Sequence, residues 1–459
     1  AQDVRLWYAF QDLASFGTVH DHHSFGWRQN SIGSMLLVDP GLVLYVGLFA
    51  LFIWRQLLGW RCCGKWLQYA NYCSLLLLLV LAIMSYDSYI FFTAAMGTRG
   101  QASWGEMPVW LKPLVLAGPF VNVATFLMCS VQVFQHVERI REESAVPRHD
   151  RAVQIILLPL VYSSMAMTSL TRMYTFVVSV DNPYVDPENP GRGGTPAELD
   201  AVKFAVSSSD TCFYVGDLYE AWALFQFGQL VLELIESGIL EQADPSGGNV
   251  AKRAQANALL QSHKAVEALA WLGIWSFLLV CVGQAGWSLW LLTISGFNNP
   301  QSAENYDNSM SQFYVAGFLA SCAAIYNVWI VENRFHHYLD NFYPNMKFLT
   351  VKVLVSIAFV QRGGFAALGS MGAFLPVAIQ KWPFVQQFML IPPTQFEMFY
   401  AGLIVTECFL IGLAHQWAWS SAESWYDEIG RAIEDVYDDE SRILLPKTAG
   451  APYGIHNKA

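Results

Sequence analysis

The sequence predicts an all-α membrane protein, a polytopic bundle of about nine transmembrane helices. Of its 459 residues, 54% are hydrophobic and only 14% are charged, whereas about 25% of the residues of a soluble domain are charged. The mean hydropathy is +0.32. The apolar stretches are long and uninterrupted, which is typical of helices that cross a bilayer and not of the alternating strands of a membrane barrel.

Nine apolar stretches are candidates for these helices. The first is the weakest, because its cleanest run, Gly41 to Trp54, has 14 residues and a spanning helix needs about 20; it could instead be re-entrant. The fifth contains Asp217, Glu220 and Glu233, so hydropathy alone could miss it. The stretches are approximately 36–56, 66–94, 113–137, 151–178, 213–236, 266–295, 310–332, 347–374 and 395–419.

The distribution of basic residues supports this number of helices. Cytoplasmic loops of membrane proteins carry an excess of Lys and Arg. With nine helices, 17 of the 26 Lys and Arg residues fall on one side and seven on the other, while Arg172 and Arg362 lie inside helices. The pattern predicts an N-terminus outside and a cytoplasmic C-terminus, and removing one helix would break the alternation.

Charge and motifs argue against several functional classes. The net charge of −11 disfavours a nucleic-acid partner. The sequence shows no nucleophile–base constellation, P-loop or glycine-rich phosphate loop, so we expect neither an enzyme nor an ATP-driven pump, and no cofactor. His20, His22 and His23 have no cysteine or second cluster nearby, which favours a polar loop over a metal site.

The cysteines do not suggest a disulfide framework. Five of the eight fall within apolar stretches, and only Cys212 falls in a predicted outer loop, at about 179–212, whose composition predicts irregular surface. Cys62 and Cys63 lie on a short basic loop beside a predicted helix. They are candidates for palmitoylation, and two ordinary thiols are the equal alternative.

Two carboxylates, Asp217 and Glu220, lie at the start of the fifth predicted helix. Because they are three residues apart, they project from one face of a helix, with Tyr219 beside them. A carboxylate persists in hydrocarbon mostly where it pairs, lines a cavity or performs a function. Counted at about 1.5 Å per residue, the two lie near the outer leaflet, at the depth of Arg172 in the preceding helix. We expect a cluster, either a structural ion pair or one wall of a substrate vestibule.

Other ionisable groups fall in the remaining helices. Arg362 and Glu407 come close to the middle of the bilayer, and we expect them to pair, as a structural salt bridge or as part of an anion site. Lys347 and Lys352 lie near the cytoplasmic end of the eighth helix, where long side chains can extend to lipid headgroups. Asp87 is expected near the outer face as an interfacial cap.

Four segments carry motifs of one protein family: AGPFVNVATFLMCSVQVFQHV (117–137), DLYEAWALFQF (217–227), KFLTVKVLVSIAFVQ (347–361) and IVTECFLIGLAHQWAW (404–419). A fifth part of the family pattern is matched by Pro147, Arg151 and the run ILLPLVY that ends at Tyr162. They resemble the organic solute transporter alpha-subunit family, which includes the transmembrane protein 184 relatives. The Asp-x-Tyr-Glu-Ala signature that begins at Asp217 is the most specific motif, and Gln361 closes the third segment. The resemblance covers about 113–426.

The resemblance implies a GPCR-like seven-helix core over 113–426 and facilitated diffusion of steroid-type anions with a single-span partner. The extension 1–112, with two extra helices, has no counterpart, and 427–459 is predicted to be an acidic cytoplasmic tail. An amphipathic acidic helix is predicted directly after Trp419. The chain departs from the family pattern at Gly216, where the family has a basic residue, and at Arg362, where it has glycine.

We therefore expect a membrane transport protein, facilitative for amphipathic organic anions, sterols or lipids. The alternative is a non-transporting scaffold subunit of a larger membrane complex, for which the added helices would supply docking surface. Expected partners are membrane lipids or bound sterol, a small single-span subunit and a second copy of the chain; the family suggests the plasma membrane or endomembranes, with an organelle membrane open. The candidate site residues are Arg172, Asp217, Tyr219, Glu220, Lys352, Gln361, Arg362 and Glu407.

Overall fold

The computed structural model shows an all-helical chain throughout the residues it describes. These are 40–53, 71–97, 104–105, 107–142, 146–180, 183–184, 195–242, 250–292, 300–339, 342–352, 361, 382 and 391–426. The predictions for the His20 cluster, for Cys62 and Cys63, for Arg362 and for the tail 427–459 lie outside these residues.

The helices are numbered here in chain order. They are α1 Pro40–Ile53, α2 Asn71–Met96, α3 Leu111–Glu142, α4 Val146–Ile156, α5 Leu158–Ser179, α6 Pro196–Gln242, α7 Val250–Trp290, α8 Pro300–Phe335, α9 at 344–352 and α10 Pro393–Ala418. Seven segments of the described chain are long and apolar enough to cross a membrane, which confirms a polytopic helical bundle. The count of nine and the orientation stay predictions, because the eighth predicted helix is described only in part.

Helix α5 lies at the centre of the described bundle. Seventeen of its 22 residues are buried, and it packs against α2, α3, α6 and α10. Its small residues, among them Ser163, Ser164 and Ala166, let neighbouring helices approach closely. Polar groups on α5 must therefore find their partners inside the protein.

Helix α6 is 47 residues long, about 70 Å, whereas the hydrocarbon layer is about 30 Å thick. It starts with a capping box: the Thr195 N–H donates to Glu198 Oε2 at 2.8 Å, and the Glu198 N–H donates to Thr195 Oγ1 at 3.3 Å. Pro196 occupies the first helical position, where its missing N–H costs nothing. The prediction of irregular structure up to residue 212 is therefore wrong, and Cys212 is buried within the bundle.

The extension packs into the bundle. Asp87 of α2 is 2% exposed and accepts a hydrogen bond from Thr168 Oγ1 of α5 at 2.5 Å. The expected interfacial cap is thus wrong, because Asp87 has its partner on the central helix. The short helix α1 lies against α6 and α7, and the Tyr45 hydroxyl donates to the Val282 carbonyl at 3.3 Å. Both described extension helices therefore contact the predicted core.

Candidate functional site

A buried ion pair joins α9 to α6. The Lys352 ammonium lies 3.5 Å from Glu220 Oε1 and donates a hydrogen bond to Ser321 Oγ of α8 at 2.8 Å. Glu220 is 1% exposed and Lys352 is 6% exposed. The ammonium also lies 5.4 Å from the ring centre of Phe277 on α7, within the range of cation–π attraction. Four helices therefore meet around the Lys352 ammonium. We call Lys352 and Glu220 the central pair.

One carboxylate oxygen of Glu220 takes no part in the ion pair. Glu220 Oε2 is buried and has no hydrogen-bond partner among the described residues. Leaving a buried polar atom without a partner is unfavourable, because the atom has lost its hydration without gaining a hydrogen bond. Such an oxygen marks a place where the protein can accommodate a proton, a water molecule or a ligand group.

Asp217, about one turn before Glu220, is hydrogen-bonded to the central helix α5. It accepts a hydrogen bond from the Tyr162 hydroxyl of α5 at 2.8 Å. The Tyr162 ring lies directly on Gly216, where an added Cβ would stand 3.0 Å from two ring carbons. The departure from the family pattern at Gly216 thus gives Tyr162 the room to reach Asp217.

The predicted helix start near Phe213 and the predicted partner of the two carboxylates are wrong. Glu220 is the 25th of the 47 residues of α6, because the helix begins well before the predicted start near Phe213. Arg172 contacts α6 at a different level, where it donates to the Ser208 carbonyl at 3.1 Å and to Ser208 Oγ at 2.9 Å. Ser208 precedes Asp217 by nine residues, about 14 Å along the helix. The ion partner of Glu220 is therefore Lys352 and not Arg172.

Tyr219 forms a contact away from the central pair. Its hydroxyl donates to the Gln154 carbonyl of α4 at 2.9 Å, and Trp222 Nε1 donates to Gln154 Oε1 at 2.9 Å. Gln154 Nε2 in turn donates to Asp150 Oδ2 at 3.1 Å. These hydrogen bonds join α6 to α4, so we interpret the role of Tyr219 as structural.

The N-terminal half of α6 carries hydroxyl groups that sequence reasoning missed. Thr211 Oγ1 lies 2.5 Å from Ser288 Oγ of α7, and the Tyr306 hydroxyl of α8 lies 3.0 Å from the same Ser288 oxygen. The Tyr306 hydroxyl is also within 3.2 Å of the Ser207 carbonyl, which can accept its hydrogen. Buried hydroxyls thus connect three helices.

A second group of hydroxyls faces α5 and α10. Ser209 Oγ lies 2.5 Å from Ser169 Oγ and within 3.1 Å of the buried Glu397 Oε2. The signal was present in the sequence, since SSSDT at 207–211 places four hydroxyl residues in five positions ahead of the acidic pair. Hydropathy alone does not detect it, because the segment is polar.

Glu407 has a neutral partner in the described structure. Gln361 Nε2 donates a hydrogen bond to Glu407 Oε1, and Glu407 is the 15th of the 26 residues of α10. The predicted partner, Arg362, lies outside the described residues. Two of the candidates from sequence are therefore brought together here, but in a contact that differs from the predicted pair.

Residues 419–426, which we call the C-terminal cap, fold back onto the helix ends. Lys347 of α9 pairs with Glu423 of the cap at 2.6 Å, and its ammonium lies 5.0 to 5.5 Å from the centres of three aromatic rings. Lys347 is 1% exposed. The expectation that Lys347 and Lys352 extend to lipid headgroups is therefore wrong, because each has a carboxylate partner within the protein.

Further contacts hold the cap in place. Arg148 Nη1 donates to the Trp425 carbonyl at 2.6 Å, and His136 Nε2 lies 3.1 Å from the Trp419 carbonyl. The Tyr426 ring stacks on His149 at 4.0 Å between ring centres, and burial raises the pKa of Tyr426 well above its usual value. The cap is a turn followed by a single 3₁₀ turn; the acidic helix predicted directly after Trp419 does not begin there.

The described residues define a polytopic helical protein with charged and hydroxyl groups inside its bundle. Residues 203–424 match the family model described as Organic solute transporter Ostalpha. The matched region contains both residues of the central pair, and the match supports the resemblance to that family of solute transporters. No curated protein and no solved structure matches the chain. The segment 113–202 of the resemblance lies outside the matched residues.

Proposed function

We propose that this protein moves amphipathic organic anions across its membrane by facilitated transport, with Lys352 as the group that binds the acid group of the substrate. The observation that carries the proposal is the central pair. A charged side chain is costly in a membrane interior and is retained mostly where it has a function. An ammonium ion forms strong, charge-assisted hydrogen bonds with carboxylate, sulfate or phosphate groups.

The surroundings of the central pair suit an amphipathic ligand. One side is apolar and is formed by residues of α6, α7 and α8, namely Leu218, Ala221, Leu224, Phe277, Leu278, Cys281 and Ala324. On another side Tyr162 and Asp217 offer hydrogen-bonding groups. A ligand with one acid group on a hydrophobic body, such as a steroid anion or a lipid, would meet a suitable partner at each end. A free sterol, which lacks the charge, would use only the apolar side.

Glu220 has a role of its own in this proposal. While no substrate is bound, it holds the Lys352 ammonium in position and balances its charge. A buried cation without a partner would be strongly unfavourable. The substrate anion takes the place of Glu220 at the ammonium, so binding exchanges one ion pair for another.

Uptake into liposomes tests the proposal. The full-length chain, purified with any subunit that remains bound, is reconstituted and given a radiolabelled steroid sulfate. We expect saturable uptake by the wild type and none by the Lys352→Gln/Glu220→Gln double variant, which leaves no unpaired charge of the central pair. Lys347→Gln is the matched control, because Lys347 lies on the same helix but contacts the cap, and it should retain uptake.

A scaffold role is the second candidate, and the packing of the extension favours it. The buried Asp87–Thr168 hydrogen bond fixes α2 to the central helix, so the extension forms a firm surface that the matched family region lacks. Wild-type protein that is folded, shows no saturable uptake and co-purifies with a large membrane complex would overturn transport in favour of this role.

A further inference from the structure

We propose that the C-terminal cap is a gate of the substrate site, and that the Lys347–Glu423 pair is its latch. The gate lies at the end of the bundle that the cap covers, which we call the cap side and which the basic residues predict to be cytoplasmic. The inference rests on the proposed function. It agrees with facilitated transport, because the cap opens and closes by thermal motion and the substrate still moves down its own gradient.

The cap lies directly on the turn of α9 that precedes the central pair. Lys347 and Lys352 are five residues apart on α9, about 8 Å along the helix. Between them, Thr350 Oγ1 accepts a hydrogen bond from Trp419 Nε1 at 3.3 Å, and the Thr350 carbonyl lies 3.2 Å from His415 Nε2 of α10. The first residue of the cap is therefore within one turn of Lys352.

Four aromatic rings lie on the cap side of the central pair, and we call them the aromatic layer: Phe227, Phe342, Phe348 and Trp419. Phe227 follows Glu220 by seven residues on α6, about 10 Å along the helix. The centre of its ring lies 6.2 Å from those of Phe342 and Trp419 and 5.8 Å from that of Phe348. The layer therefore occupies the place where α6, α9 and the cap meet.

The aromatic layer separates the central pair from the cap side. Phe227, Phe342 and Trp419 are each at most 2% exposed, so water has little access to the layer. An acid group without a partner enters apolar surroundings only at a large cost in free energy. A substrate anion that leaves Lys352 on this side therefore needs the layer to part.

Trp419 connects the aromatic layer to the cap. It is the first residue of the cap and one ring of the layer, and the Trp425 ring of the cap lies 4.8 Å from the centre of the Phe342 ring. Because the cap cannot lift without moving these rings, release of the cap and parting of the layer are one movement. The motion of such lids limits the rate of many enzymes, and we expect cap opening to set the maximal rate of transport.

The Glu423 carboxylate holds the cap in its closed position. It pairs with Lys347 at 2.6 Å and accepts hydrogen bonds from Trp425 Nε1 and from the Ser420 N–H. The side chain of Glu423 is 23% exposed, so water can replace Lys347 as its partner when the cap lifts. The latch can therefore open and close repeatedly at a modest cost in free energy.

A gate and a purely structural fastening predict different effects on transport. If the cap only fastens the helix ends, loosening it lowers the stability and leaves the rate per folded molecule unchanged. If the cap is a gate, loosening it speeds each crossing although the protein becomes less stable. The test therefore measures cap opening and uptake for the same substitutions.

Cap opening is measured with Thr350→Cys, because residue 350 lies beneath Trp419 and is 5% exposed. The full-length chain in liposomes is treated on both sides with a membrane-impermeant thiol reagent, which reaches this cysteine only when the cap lifts. Peptide mass spectrometry distinguishes it from the cysteines of the chain itself. Cys212, which is buried in α6, must stay unlabelled, which shows that the protein has not unfolded.

We expect Glu423→Gln to raise both the labelling rate and the maximal uptake rate of a radiolabelled steroid sulfate, with little change in KM. Each rise should be about three- to tenfold, as for the loss of a partly exposed ion pair. Lys347→Gln removes the other partner and should act in the same direction. Glu236→Gln is the matched control, because Glu236 is exposed on α6 near the same end of the bundle, and it should change neither rate.

Faster labelling without faster uptake would overturn the gate and leave the cap as a structural fastening. Unchanged labelling in both Glu423→Gln and Lys347→Gln would overturn the latch. Should Cys212 also become labelled in Glu423→Gln, Lys347→Gln decides. These outcomes leave the proposed function intact as long as the wild type shows saturable uptake, whereas no uptake by any form would remove the proposed function and the gate with it.

Discussion

Helix α9 presents two lysines five residues apart, and they are in contrasting environments. Lys347 pairs with Glu423 of the C-terminal cap and lies among three aromatic rings. Lys352 pairs with Glu220 at the middle of α6 and lies near the ring of Phe277. The side chain of Glu423 is 23% exposed, whereas that of Glu220 is 1% exposed. One helix thus carries one ion pair at the rim and one in the interior.

The difference concerns how each pair responds when it is broken. At the rim, water can reach Glu423 and replace the lost partner, so the pair acts mainly as a fastening for the cap. In the interior, neither partner can be rehydrated, and separation requires a substitute charge or a proton. The interior pair is therefore suited to a binding step, and the rim pair to structure.

The largest effect is expected for Lys352→Gln. Removing one partner leaves the Glu220 carboxylate buried and uncompensated, which should lower the free energy of unfolding by about 3–5 kcal/mol. Thermal unfolding in detergent measures the change. The Lys352→Gln/Glu220→Gln variant should recover most of the loss because no charge of the pair remains. A double variant as unstable as the single one would show that packing, and not charge, stabilises this region.

Lys347→Gln should lower the free energy of unfolding by a smaller amount, about 1–3 kcal/mol. The charge-assisted hydrogen bond to Glu423 is lost, but Glu423 can be rehydrated. Proteolysis near the cap and thermal unfolding report the change, and uptake should persist. If Lys347→Gln were as unstable as Lys352→Gln, the contrast between rim and interior would be wrong.

The apolar runs predicted the helical bundle, since burial in lipid demands long, internally bonded helices whatever the details of packing. The start of α6 was missed because hydropathy does not detect a polar helical segment. The signal was nevertheless in the sequence: Thr195, Pro196 and Glu198 form a capping box with proline at the first helical position. Because the start of α6 is misplaced in the prediction, the expected partner of Glu220 is wrong as well.

Sequence reasoning identified both members of the central pair individually, because a carboxylate or an ammonium in an apolar helix is unusual. It could not pair them. Glu220 and Lys352 are 132 residues apart, and their contact depends on how α9 packs on α6, which no local pattern encodes. For Arg172 the expected partner is wrong because the predicted start of α6 is misplaced, and Arg172 bonds Ser208 instead.

A smaller effect tests the polar neighbour of the interior pair. Gly216→Ala would place a Cβ 3.0 Å from the Tyr162 ring. The ring must then shift and its hydrogen bond to Asp217 should weaken, so we expect the free energy of unfolding to fall by about 1–2 kcal/mol. Tyr162→Phe removes the same hydrogen bond directly. If both act through Asp217, the double variant should cost less than the sum of the two single changes. Strict additivity in thermal unfolding would show that the glycine matters only for packing.

Gly317→Ala is the matched control for that cycle. An added Cβ at Gly317 meets its nearest described neighbour at 3.7 Å, an ordinary contact distance, so the substitution should be neutral or slightly stabilising in a helix. If Gly317→Ala lowers the stability as much as Gly216→Ala does, the effect comes from replacing a helical glycine in general.

The smallest effect is expected for Ser321→Ala, which removes the hydroxyl that accepts a hydrogen bond from Lys352 at 2.8 Å. Because Glu220 remains as the counter-ion, stability should fall by only about 1 kcal/mol. The ammonium is then less firmly positioned, so the KM for a steroid sulfate should rise while the maximal rate changes little. Ser276→Ala is the control, since the Ser276 hydroxyl is exposed and bonds its own helix at Leu272. If the KM of Ser321→Ala is unchanged, Ser321 does not contribute to the binding site, and Glu220 alone positions the Lys352 ammonium.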